Sequence, residues 1–66
     1  MNITLNGDAF ELDEGAKIID LIAHLDLADK RFAIEVNEEI ISRSEHSKVT
    51  LLEGDHVEVV QAIGGG

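Results

Sequence analysis

One stretch of the chain has the spacing of a helix. Ile18, Leu21, Ile22 and Leu25 stand at i, i+3, i+4 and i+7, on one stripe of an α-helix, with Lys17, Asp20 and His24 on the opposite or flanking faces. The other apolar segments are short, and most of them alternate at the period of a strand. One amphipathic helix can cover one face of a small sheet and no more. The fold class that follows is α+β in two layers.

The strand segments can be placed along the chain. Asn2–Asn6 alternates polar and apolar, Gly7-Asp8 is a turn signal, and Phe10 and Leu12 flank Glu11, so the opening reads as a hairpin. Asp13-Glu14-Gly15 breaks the pattern ahead of the helix, whose start has no Ser or Thr cap and relies on nearby acids to complement the helix dipole. Residues 26–31 form a polar connection. Phe32, Ile34 and Val36 alternate in a third strand, Asn37-Glu38 is a turn, and 39–42 is a fourth strand whose Ile40-Ile41 pair leaves its facing open. A polar loop over 43–48, the brief apolar run Val49–Leu52 and a turn at Glu53-Gly54-Asp55 lead to a last strand over His56–Ala62. Alternation there puts Val57 and Val59 on one face and Glu58, Val60 and Ala62 on the other. The order is β-β-α-β-β-β, a mixed sheet of about five strands packed against one helix.

With 66 residues the chain holds one domain, and with no cysteine it has neither a disulfide staple nor a thiolate metal site nor a cysteine nucleophile. Packing alone must hold it. Leu, Ile, Val and Phe make up a third of the residues, enough for a core despite a net charge of −9. That charge argues against nucleic acid and anionic membrane as partners. No apolar run approaches the roughly 18 residues of a membrane span and no signal peptide opens the sequence, so the expected compartment is the cytoplasm.

Catalytic signatures are missing: there is no phosphate loop and no dinucleotide fingerprint. His24, His46 and His56 each lie near an acid (Asp20, Glu45 and Asp55), but they share no spacing, and such neighbours are expected in so acidic a chain. No metal site is expected, and a body this small does not readily enclose a deep pocket. The acids at Asp13/Glu14, Glu38/Glu39 and Glu53/Asp55 sit mainly at turns, as solvated charge or as a docking surface for a basic partner.

Gly64, Gly65 and Gly66 follow the last strand. Glycine offers no side chain for packing and has the most backbone entropy to lose, so the expected division is a folded domain over 1–63 and a flexible tail over 64–66. Such a tail can be an inconsequential fray. It can also thread a channel too narrow for other side chains, since the four residues from Ile63 to Gly66 reach roughly 13–14 Å when extended. The α-carboxylate at its tip is an unhindered nucleophile toward the α-phosphorus of ATP in a partner enzyme. Val60 and Ala62, outward beside the tail, are candidate docking residues for that enzyme.

These pieces together resemble a ubiquitin-like β-grasp sulfur carrier, and more particularly the ThiS family of thiamin (thiazole) biosynthesis. The resemblance spans essentially the whole chain: Met1–Gly7, Gly15 leading into Ile18–Ile22, Phe32–Asn37, Leu52–Val60 and the ending Ala62-Ile63-Gly64-Gly65-Gly66. The family implies a protein cosubstrate, not an enzyme, with no stably bound cofactor. Gly66 would be adenylated by a ubiquitin-activating-type adenylyltransferase using ATP and Mg. It would then be converted to a thiocarboxylate with sulfur from a sulfur-donor protein, and would pass that sulfur to thiazole synthase. Two departures stand out: Lys17 lies near where relatives often carry a capping Thr, and three glycines end the chain where two define the motif, which leaves Gly64 as a possible spacer. A molybdopterin-synthase small subunit, another sulfur carrier and a ubiquitin-like protein modifier share the ending and remain alternatives; the short length and the absence of proline favour the ThiS family.

Overall fold

The computed structural model describes residues 1–25, 27 and 31–61. Strands β1 (Asn2–Leu5) and β2 (Asp8–Glu11) pair antiparallel, with Ile3 opposite Phe10 and Leu5 opposite Asp8. The loop between them is Asn6-Gly7, with φ of 50° and 87°, one residue earlier than the expected Gly7-Asp8. A two-residue hairpin loop that follows the strand twist needs positive φ at both positions, and Asn-Gly meets that need at least cost, which leaves Asp8 to the strand.

Helix α1 (Ile18–His24) begins where the stripe predicts. Its start is capped after all: the Asp20 carboxylate reaches back to accept the Lys17 backbone N–H at 2.8 Å. This is one half of a capping box, and it works with a lysine at the cap position because the acceptor belongs to the third helical residue. The second hairpin joins β3 (Phe32–Val36) to β4 (Glu39–Ile41) through Asn37-Glu38, with φ of 51° and 70°. Its register sets Ile41 beside the buried Ile34, and sets Ile40 beside Glu35 on the other face. A 3-10 turn at Arg43–Glu45 follows. The run Val49–Leu52 then crosses the start of the helix: Ile18 N–H donates to Val49 O at 3.1 Å, Leu51 N–H donates to Ala16 O at 2.9 Å, and Leu51 is buried.

The last strand, β5 (His56–Gln61), takes the centre of the sheet, in the order β2-β1-β5-β3-β4. It runs parallel to β1 and antiparallel to β3. The sheet is therefore mixed and five-stranded, as the element order predicts. Ala62, expected in this strand, lies outside the described residues, as do the proposed boundary at 63/64 and the tail.

Ile18 and Leu21 of the helix meet Ile3, Leu12, Ala16, Ile34, Leu51 and Val57 in one core, with Phe10, Phe32, Val36 and Val59 packed at its margin. Each Ile, Leu or Val side chain fully removed from water contributes about 1.5–3 kcal/mol, and no disulfide helps them. Among the described residues no helix is long and apolar enough to cross a membrane.

Candidate docking face and the end of the central strand

Bonds from both sides hold β5 in register. Asn6 donates its N–H to Val57 O at 2.9 Å and accepts the Val59 N–H on Oδ1 at 2.8 Å. On the other side Asn37 donates its N–H to His56 O at 2.7 Å and accepts the His56 N–H on Oδ1 at 2.9 Å. Each asparagine thus extends a neighbouring strand by one step after its backbone has turned away. Asp55 completes the clamp, accepting from Asn37 Nδ2 at 3.1 Å and from the Leu52 N–H at 2.8 Å. Sequence reasoning placed Asn37 and Asp55 at turns but missed the side-chain bonds that all three residues make. The available signal was an Asn directly after each of two strands, where positive φ is tolerated and the side chain can bond backbone. Glu53, read as solvated charge, accepts the Asn2 N–H at 2.9 Å.

Alternation along β5 holds as expected. Val57 is buried and Val59 half-buried against the helix layer, while Glu58 and Val60 face outward. Val60 remains 52% exposed and stands opposite the exposed Ala33. One step away across the sheet, Glu58 is paired with Glu35, and Glu35 with Ile40, which is 70% exposed. The outer face near the end of β5 is thus an apolar patch of Val60, Ala33 and Ile40 crossed by two carboxylates. Ala33 and Ile40 were not among the expected docking residues, because only the strand register brings them onto the face of Val60. The other expected site residues, Ala62, Gly64, Gly65 and Gly66, lie outside the described residues.

An open groove of about 480 Å³ runs along the same face, lined among others by Thr4, Glu38, His56 and Glu58. It lies at the sheet surface and is not an enclosed pocket. The three histidines stand apart. His24 meets the edge of Phe10, His56 is exposed at the start of β5, and His46 is 5% exposed with Nε2 at 3.1 Å from Ile41 O and its ring stacked on Phe32. Among the described residues no group of three His, Cys, Asp or Glu side chains is placed to hold a metal ion.

One helix across a five-stranded mixed sheet, with β1 and β5 parallel at its centre, defines a ubiquitin-like β-grasp domain. The ThiS family model matches residues 3–66. The chain belongs to the ThiS family. It is 36% identical to the sulfur carrier protein ThiS of Bacillus subtilis, covering 97% of this chain and 98% of that protein. It is 38% identical to a thiazole synthase of Magnetococcus marinus, where the whole of this chain spans 20% of the longer protein. The crystal structure of a thiamine biosynthesis protein (ThiS) from Geobacter metallireducens superposes with a TM-score of 0.84 at 32% identity, covering all of both chains.

Proposed function

We propose that this chain is a sulfur carrier whose Gly66 carboxylate is activated and sulfurated by partner enzymes for thiazole formation in thiamin biosynthesis. The observation that carries the reading is the family match reaching through Gly66, on a domain whose central strand leads directly into the glycine segment. The carboxylate attacks the α-phosphorus of ATP in an adenylyltransferase, forming an acyl adenylate and releasing pyrophosphate. A persulfide on a donor protein then attacks the acyl carbon and displaces AMP to give an acyl disulfide. A thiol cleaves its S–S bond, leaving the thiocarboxylate on Gly66 and the donor sulfur in a disulfide with that thiol. Thiazole synthase is the acceptor. The occurrence of a segment like this chain within a much longer thiazole synthase supports that pairing.

In this cycle the chain does no catalysis. Its fold supplies a rigid handle, Gly64 and Gly65 let the terminus pass a narrow channel, and Val60 with Ala62 docks the adenylyltransferase. ATP and Mg belong to that partner, and the cycle runs in the cytoplasm. The test is intact mass spectrometry of the chain after incubation with ATP, the adenylyltransferase and a sulfur source. Exchange of one terminal oxygen for sulfur is expected, and it should be lost when Gly64, Gly65 and Gly66 are deleted together. An unchanged mass beside a demonstrably active enzyme would refute the reading, and higher-mass conjugates to lysine would point to a protein modifier instead.

A further inference from the structure

We infer that Arg43 and Arg31 form a cationic contact at the root of the tail that recognises carboxylates on the adenylyltransferase, around the mouth of the channel that takes the glycines. The inference rests on the carrier reading and adds to it the chemistry of one partner surface. Only 5 of the chain's residues are Lys or Arg, against 14 acids. Two of those five stand where β5 ends: Phe32 pairs with Gln61, Arg31 directly precedes Phe32, and the Arg43 guanidinium lies over the Phe32 ring, 5.7 Å from its centroid. His46 stacks on the same ring at 6.3 Å, so the aromatic platform under Arg43 is itself fixed in the fold.

In so acidic a molecule a guanidinium has many carboxylates to choose from. Among the described residues, however, the ion pairs are Met1 with Glu14 and Lys48 with Glu45, and Arg43 takes part in neither. Held on a ring face, it has a hydrogen-bonding edge that meets no acceptor among the described residues, and the planar fork of a guanidinium suits a carboxylate. Both arginines are exposed.

The anion they meet could be a protein carboxylate or a phosphate of ATP, and chain length decides between them. Drawn out into a channel, the five residues from Ala62 to Gly66 carry the reacting carboxylate up to about 17 Å beyond Gln61. That is well past the reach of an arginine side chain at the root. The arginines therefore meet the outer rim of the channel and not the nucleotide. The local positive charge also sets the orientation of approach, because acids outnumber cations over the molecule as a whole.

The test is ATP–pyrophosphate exchange by the adenylyltransferase with the full chain as its substrate, comparing wild type with Arg31→Glu/Arg43→Glu. The double variant is expected to raise the KM for the carrier about tenfold or more, an effect that shrinks when salt is raised to about 0.5 M. The kcat and the KM for ATP should stay unchanged. Circular dichroism reports whether the variant folds. If it does not, the neutral Arg31→Gln/Arg43→Gln pair replaces it, with a smaller rise in the same KM expected. An unaltered KM for the carrier, or a change confined to kcat or to the KM for ATP, would overturn the contact. Absence of exchange with the wild-type chain would overturn the carrier reading and this contact with it.

Discussion

Glu38 holds a backbone conformation that favours glycine, with φ at +70° in the second position of a two-residue hairpin loop. A residue with a Cβ pays on the order of 1–2 kcal/mol for that region, and Asn37 before it is better suited because its short amide bonds locally. Glu38→Gly is therefore expected to stabilise the domain, by about 0.5–1 kcal/mol after the added freedom of the unfolded chain is subtracted. Urea unfolding at constant m-value checks it, and a lower midpoint would mean that the glutamate side chain makes a contact worth more than the strain. Asn6 is the contrasting case at the same scale: its φ of 50° is matched by a backbone bond and a side-chain bond to β5.

At the scale of elements, α1 contributes Leu21 and Ile18, both 0% exposed, to a core that no other α-helix among the described residues shares. Leu21→Ala should cost about 2–5 kcal/mol. A domain of this size has only about 3–10 kcal/mol to lose, so the variant should be substantially unfolded, or should melt far below wild type, by circular dichroism. On the outer face of the sheet the expectation reverses. Val60→Thr keeps the shape of an exposed β-branched side chain and adds no charge, so its melting temperature should stay close to wild type while the KM for the carrier in the adenylyltransferase reaction rises. A large loss of stability would mean that Val60 belongs to the core and not to a docking face.

The element scale is also where sequence reasoning succeeded and where it stopped. Periods of 3.6 and 2 located the helix and the five strands because each is set by local burial, and they placed Val57, Val59, Glu58 and Val60 on the correct faces. They could not show that β5 lies between β1 and β3, since β1 and β5 are some fifty residues apart and nothing local encodes their pairing. The same limit hid Ala33 and Ile40 beside Val60, and Phe32 beneath Arg43. The turn at Asn6-Gly7 was within reach, and was displaced by one residue because Asp8 was weighed as a turn former when its strand partner Leu5 was unknown. Of the candidate site, Val60 was legible by alternation, whereas the aromatic platform at the strand end needed tertiary structure.

For the molecule as a whole, a net charge of −9 spread over 66 residues means that folding gathers like charges. The pairing of Glu35 with Glu58 across adjacent strands is one such gathering. Two like charges set opposite each other cost roughly 0.2–1 kcal/mol. Salt screens them, so the melting temperature is expected to rise by a few degrees between about 0.01 and 0.5 M NaCl. A calorimetric scan at both salt concentrations checks this, and a flat response would show that the favourable ion pairs balance the repulsion.

The central place of β5 ties synthesis to use. The first strand to emerge from the ribosome must wait for the last one before the sheet can close, since β1 and β3 are joined only through it. A nascent or prematurely stopped chain lacking His56–Gln61 has no strand to join its two hairpins, and its core lacks Val57 and Val59. A folded handle therefore certifies that translation has passed through the strand that introduces the glycines.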